Sequence, residues 1–173
     1  FKWYSNDAIN FKGYFFVDDL FYEKEQALKK IESLKTQLDF LNFLKICNGT
    51  YSIVYTIDET VYISSDITRS FPIFYASQNN EFVISDDIIH IKKKLNFNQF
   101  DEISEIEIIA SLHTYGKKTL LNDVYQVQSS ECLLIHPKGK IESFFTFNYS
   151  IENESNFTKP ALKEEGFKVI ENS

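Results

Sequence analysis

The chain has 173 residues, with 25 Asp and Glu against 18 Lys and Arg, a formal net charge of −7 and a pI near 5.0. That balance disfavours a nucleic-acid surface, because binding phosphate requires clustered Lys and Arg; the one basic run, Lys92-Lys93-Lys94, reads as a solvated helix end. No apolar run approaches the ~20 residues that cross a bilayer and no signal-peptide pattern opens the chain, so the expectation is a cytoplasmic protein without a membrane partner.

The length suits one domain, large enough to bury a core without disulfides or metals. With 17 Phe and 10 Tyr that core should be aromatic, and only five Gly and three Pro argue against low complexity. Cys47 and Cys132 form neither a metal spacing nor a disulfide framework, and four Asn-x-Ser/Thr sequons, at Asn48, Asn148, Asn153 and Asn156, read as coincidence in an Asn-rich chain. Because the sequence contains no Met and starts on Phe1, the expectation is that it is a piece of a longer product.

Residues 1–10 carry Trp3 and Tyr4 in no clear period. Residues 13–17, all apolar or aromatic after Gly13, read as a buried strand stopped by Asp18-Asp19. Residues 23–37 place Ala27, Leu28, Ile31 and Leu34 at helical spacing with charges opposite, and Asp39 is positioned to cap a short helix over 40–46 that Asn48-Gly49 closes. Tyr51, Ile53, Tyr55 and Ile57 alternate with smaller residues as a strand, and Val61 and Ile63 begin its antiparallel partner after the Asp58-Glu59 turn. A second hairpin covers 73–77 and 82–85. Asp86-Asp87 then open a helix to Leu95, both carboxylates favoured at its positive end, and residues 103–112 form another with Ile103, Ile106 and Ala110 on one side. Residues 124–127 and 132–136 are extended, and 141–149 pair back across Pro137-Lys138-Gly139-Lys140. A polar stretch after Ser150 reads as a linker, followed by a helical pattern over 161–171. The domain expectation is therefore 1–150, with 151–173 as linker and the start of a following unit. The class is α+β, layered sheet and helix.

Between the two hairpins lies Ser65-Asp66-Ile67-Thr68-Arg69-Ser70-Phe71-Pro72-Ile73-Phe74-Tyr75. Its Asp66, with Pro72-Ile73-Phe74-Tyr75 six residues on, resembles the "R-D-x-x-G-x-x-P-L-Y-Y" stretch in the N-terminal glutaminase domain of asparagine synthetases. Gly49-Thr-Tyr-Ser-Ile-Val-Tyr55 resembles that family's "G-x-F-A-F-V-l-Y" strand, Phe82-Val-Ile-Ser85-Asp86 its "F-a-F-A-S-E", and Thr119-Leu120-Leu121 with Val124 its "T-L-F-x-x-I" before a "G-K-I" hairpin, here Gly139-Lys140-Ile141. Four such pieces fall in register over 49–149.

The resemblance implies a class II glutamine amidotransferase domain of the Ntn-hydrolase type, an αββα sandwich of two antiparallel sheets flanked by helices. In the family it precedes an ATP-using synthetase domain. A synthetase domain in the same polypeptide or complex is then the expected partner; ATP and Mg belong to that domain, and no cofactor or metal is expected in this chain. A homo-oligomer is left open.

The departures bear on activity. The family's mature chain begins with a Cys that attacks the glutamine amide, and Phe1 offers no thiol. The first forty residues lack "R-H-R-G-P-D" and "N-G-E-I-Y-N"; Ser65 replaces the family Arg, Arg69 the Gly, and Gln128-Ser129-Ser130-Glu131 stands in place of "P-P-G-H". Cys47 and Cys132 read as buried structural thiols. His90, His113 and His136 are too far apart in sequence to suggest a metal. No catalytic residue is therefore assigned. Asp66, Arg69, Pro72 and Tyr75 form a structural or interface motif, with Asp66 and Arg69 pairing with each other or the backbone, or else facing a partner domain. The expected function is a catalytically inactive glutaminase-like domain that supports or regulates an amide-forming synthetase. The alternatives are an active glutaminase whose Cys precedes Phe1, and a stand-alone binding or oligomerisation module.

Overall fold

The computed structural model describes residues 1–148, apart from Asn80 and Lys138, together with Lys163. The linker expected after Ser150 and, apart from Lys163, the helical pattern expected over 161–171 lie outside the described residues. The elements run β1 (Trp3–Ser5), β2 (Ile9–Val17), β3 (Leu20–Glu23), α1 (Lys24–Glu32), α2 (Gln37–Ile46), β4 (Asn48–Ile57), β5 (Thr60–Ser65), β6 (Phe74–Gln78), β7 (Glu81–Ser85), α3 (Ile88–Leu95), α4 (Glu102–Ser111), β8 (Val124–Gln126), β9 (Glu131–Ile135) and β10 (Ile141–Phe145).

Two antiparallel sheets result. The larger has the order β1-β2-β4-β5-β9-β10, with β3 also paired to β2; the smaller is β7-β6-β8. Period-two alternation decides what each face meets. On the larger sheet Phe11, Phe15, Tyr51, Ile53, Tyr55, Tyr62, Cys132 and Leu134 turn to one side and pack with Ala27, Leu28 and Ile31 of α1 and Phe40, Phe43 and Leu44 of α2. Ile63, Leu133 and Ile135 turn to the other side and meet Ile73, Tyr75 and Val127 between the sheets. Beyond the smaller sheet, Ala76, Val83 and Val124 pack with Ile91 and Leu95 of α3. Helices, sheet, sheet and helix thus form four layers, the αββα arrangement expected. Phe40 fastens the first core, its ring 5.4 Å from Tyr55 and 5.6 Å from Tyr62, which face each other across β4 and β5. Each such fully buried aromatic contributes roughly 1.5–3 kcal/mol.

Several boundaries differ from the expectation for local reasons. Residues 23–37 split into two helices, and the cap of α2 is Thr36, whose Oγ1 accepts from Asp39 N at 3.1 Å while donating to Asp39 Oδ2 at 2.7 Å. Asp39 therefore accepts from the hydroxyl of the cap and is not the cap itself. Gly49 does not end a helix; it sits in β4 opposite Phe15, where a Cβ would lie 2.5 Å from the Tyr14 carbonyl oxygen. The initial ten residues, without visible period, supply β1 and the start of β2, and β3 is a further strand beyond Asp18-Asp19. That dipeptide and Asp58-Glu59 both take positive φ, the geometry of a two-residue hairpin turn.

Two larger departures concern the second half. Residues 124–127 and 132–136, which look continuous in sequence, belong to different sheets. In α4, Ile103, Ile106 and Ala110 face outward, with Ile103 and Ile106 59 and 67 % exposed. The inward side carries Ser104 and Ser111 instead, because the chain doubles back along it: Tyr115 N donates to Glu107 Oε2 at 3.0 Å and Lys118 Nζ to Asp101 Oδ2 at 2.9 Å. The apolar spacing identified the helix but not its buried side.

Candidate functional site

The chain passes from the larger sheet to the smaller between β5 and β6, and returns between β8 and β9. The segment around Asp66 sits where the two crossings touch. Asp66 is 1 % exposed. Its backbone N–H donates to the Tyr51 carbonyl at 3.2 Å, and its own carbonyl accepts from Ser130 N at 3.0 Å on the return crossing. Seven residues on, the Ile73 carbonyl accepts from Val127 N at 2.9 Å. The two crossings are therefore hydrogen-bonded to each other at both ends.

The Asp66 carboxylate completes this junction. Oδ2 accepts from the buried Tyr51 N–H at 2.9 Å, and Oδ1 accepts from Thr68 N at 2.7 Å and Thr68 Oγ1 at 2.8 Å. Ser70 N adds a longer bond, 3.2 Å to Oδ2. An Asp is suited to this turn because its short side chain reaches amides two and four residues ahead. Arg69 takes φ +54°, the left-handed conformation in which non-glycine residues are uncommon. Its N–H donates to the Asp66 carbonyl, and its guanidinium donates to Gln126 Oε1 at 2.7 Å on β8. The two side chains form no ion pair: Asp66 serves the backbone, and Arg69 holds the other crossing. Gln126 in turn donates through Nε2 to the Gly116 and Lys118 carbonyls. Pro72 is exposed and sets the extended entry into β6, whereas Ile73 beside it is buried.

Tyr75, at the end of this segment, is 5 % exposed and lies on the inner face of the smaller sheet. Its ring stacks on Phe82 at 5.9 Å and meets Tyr125 at 5.7 Å. Burial, assisted by the charge of Glu131, pushes its phenol up to about 12. The three rings line a cleft of about 560 Å³ with Ser77, Gln78, Phe97, Lys117, Asp123, Ile141 and Ser143. Behind two of the lining residues, Lys117 and Ser143, is a charged group that sequence reasoning missed. Glu131 is fully buried; its Oε1 accepts from Lys117 Nζ at 2.8 Å and from Ser143 Oγ at 2.7 Å, and its Oε2 accepts from Gln128 N at 2.8 Å. Lys117 Nζ also donates to Ser143 Oγ at 2.7 Å. The one available signal was a Glu opening a five-residue strand that is otherwise entirely apolar and buried.

Both thiols are closed off. Burial pushes the Cys47 thiol up to about 12, with Asp66 adding to the rise against a hydrogen bond with Tyr51. Cys132 is 0 % exposed, and burial raises its thiol further, with the neighbouring Glu131 carboxylate acting in the same direction. Burial disfavours the thiolate form of both.

The acidic pair after β7 divides its work. Asp87 caps α3, accepting from Ile89 N at 2.8 Å. Asp86 does not cap; it reaches across to the larger sheet and accepts from Trp3 Nε1 at 2.8 Å and Lys12 Nζ at 3.0 Å. Burial raises its carboxyl, but these two donors outweigh it and hold the group below the usual range. Asp86 also borders a second cleft, of about 370 Å³, with Asn10, Val54, Ile73 and Ile84. Among the described residues, no group of three or more His, Cys, Asp or Glu is placed to hold a metal ion.

No family model and no curated protein matches this chain. Among solved structures it is similar to the glutamine phosphoribosylpyrophosphate amidotransferase of B. subtilis complexed with ADP and GMP, at 10 % identity and a TM-score of 0.48 over 84 % of this chain. A second similar structure, described as the allosteric regulatory enzyme of purine biosynthesis, gives 10 % identity and 0.48 over 86 %. The chain spans 30 and 31 % of those two proteins' lengths.

Proposed function

We propose that this chain is a non-catalytic, glutaminase-like scaffold domain of an asparagine-synthetase-related protein, which supports or regulates an ATP-dependent amide-forming synthetase domain. The observation that carries the reading is the commitment of its chemically useful groups to structure. Both thiols are buried with raised pKa values. The carboxylate of the family-like motif, Asp66, is occupied by the Tyr51, Thr68 and Ser70 amides. Arg69 is held by Gln126. A glutaminase of this type requires a thiolate and a group that polarises the amide, and these side chains supply neither. The four sequence pieces over 49–149 support placing the domain near the asparagine synthetases.

The test is glutamine hydrolysis by the purified chain and by the whole protein that carries it. No ammonia above the uncatalysed rate is expected, and amide formation by the whole protein should run on ammonia but not on glutamine. Ammonia release from glutamine that is abolished by iodoacetamide would overturn the reading in favour of an active thiol at another position. Deleting 1–150 should impair the whole protein; full stability and activity after deletion would count against a supporting role.

A further inference from the structure

The cleft on the inner face of the smaller sheet has the attributes of a small-molecule site. Its volume of about 560 Å³ falls within the ~300–1,000 Å³ usual for such sites. Its floor is three aromatic rings, Phe82 stacked on Tyr75 and Tyr125 tilted against it, and Tyr125 remains 39 % exposed beside the buried Tyr75. Its wall carries a fixed cation. An ammonium has three N–H groups; among the described residues, Lys117 Nζ donates to Glu131 Oε1 and Ser143 Oγ, which leaves one N–H. Glu131 cannot turn away, since Ser143 and the Gln128 amide hold its two oxygens inside the protein. The ammonium is therefore pre-positioned beside the rings, so a ligand would meet it without an ordering cost.

We propose that this cleft binds a small planar ligand, an aromatic ring carrying a carboxylate, with the ring on Tyr75, Phe82 and Tyr125 and the carboxylate on Lys117. An aromatic ring gains offset or edge contacts on such a floor that a saturated ring of the same size does not. A carboxylate gains a charge-assisted hydrogen bond that the corresponding amide does not. Asp123, on the same lining, would receive an amino group where the ligand has one and disfavours a second acidic group. The inference does not depend on whether the chain hydrolyses glutamine.

The experiment is a titration of the whole chain with indole-3-acetate, followed by the aromatic NMR signals of Tyr75, Phe82 and Tyr125. Saturable shifts at all three are expected with a Kd of about 1 mM or tighter. Indole-3-acetamide and cyclohexylacetate should each bind about fivefold or more weakly, as should indole-3-acetate to Tyr125→Ser. Lys117→Met alone would strand Glu131 in the interior and unfold the site, so the charge is tested with the double variant Lys117→Met/Glu131→Gln. In that variant acid and amide should bind alike. No saturable shift up to about 10 mM, equal binding of cyclohexylacetate, or undiminished binding by Tyr125→Ser overturns the proposal.

Discussion

Removing the carboxylate of Asp66 should destabilise the domain far more than an ordinary turn substitution. In Asp66→Ala the Tyr51 N–H loses its 2.9 Å partner inside the protein, and the Thr68 and Ser70 amides lose theirs nearer the surface. A hydrogen bond to a charged acceptor contributes about 1.5–3 kcal/mol, and a buried donor left without a partner costs about 1–3 kcal/mol. The Thr68 and Ser70 amides belong to exposed residues, where water replaces the carboxylate at about 0.5 kcal/mol each. The sum is about 3 kcal/mol. With a urea m-value of about 2 kcal/mol/M for a domain of this size, the unfolding midpoint should fall by about 1.5 M. Asp66→Asn provides the stricter test. Its Oδ1 can still accept from Thr68, but its amide nitrogen then confronts the Tyr51 N–H, so a loss of about 2 kcal/mol remains. Urea denaturation followed by tyrosine and tryptophan fluorescence reads both. If both variants unfold within about 0.25 M of the parent, Asp66 is not the fastening of the two crossings, and a role toward a partner becomes the better explanation of its presence.

Three further outcomes follow from the geometry. In native protein at pH 8 neither Cys47 nor Cys132 should react with a disulfide reagent within minutes, whereas both react after denaturation; rapid labelling of either in the folded state would contradict their burial. Gly13→Ala should destabilise by roughly 2–4 kcal/mol, because at φ +110° a Cβ would lie 2.0 Å from the Thr50 carbonyl oxygen; an unchanged thermal midpoint would refute that packing. Asp101, which caps α4, has its carboxyl lowered from 3.8 to about 2 by the Lys118 hydrogen bond and then by the Ser104 amide. A lowered carboxyl stabilises the folded form above its unfolded value and ceases to as pH falls through its folded value. The Ser104 amide signal should therefore move between about pH 4 and pH 2 in the parent and stay fixed in Asp101→Asn, with a titration midpoint near 3.8 or above arguing against the Lys118 contact.

The sequence by itself determined the local order and the sides of the central strands. Tyr51, Ile53, Tyr55 and Ile57 could occupy only one face, because a β-strand turns successive side chains to opposite sides. Asp66 could be recognised as special because an Asp before Thr-Arg-Ser in a strand-to-strand connection has amides within reach of its own carboxylate. The hairpin turns at Asp58-Glu59 and Asn79 are equally local, whereas Asp18-Asp19 reads only as the end of a strand and β3 beyond it was not expected.

What only the tertiary structure decided depends on residues distant in sequence. Nothing in residues 124–136 signals that β8 and β9 join different sheets; that follows from the edges they pair with, β8 with β6 and β9 with β5. Arg69 meets Gln126, Asp86 meets Trp3 and Lys12, and Lys117 meets Glu131. None of these pairings is encoded by spacing, because each joins elements brought together by sheet stacking. The same reason governs α4: its apolar spacing was legible, but the returning segment 112–121 took the other face, leaving Ile103 and Ile106 outside. The motif around Asp66 was visible as a charged turn, and its meaning came from the return crossing at Ser130, which the sequence places sixty-odd residues away and the fold places 3.0 Å from the Asp66 carbonyl.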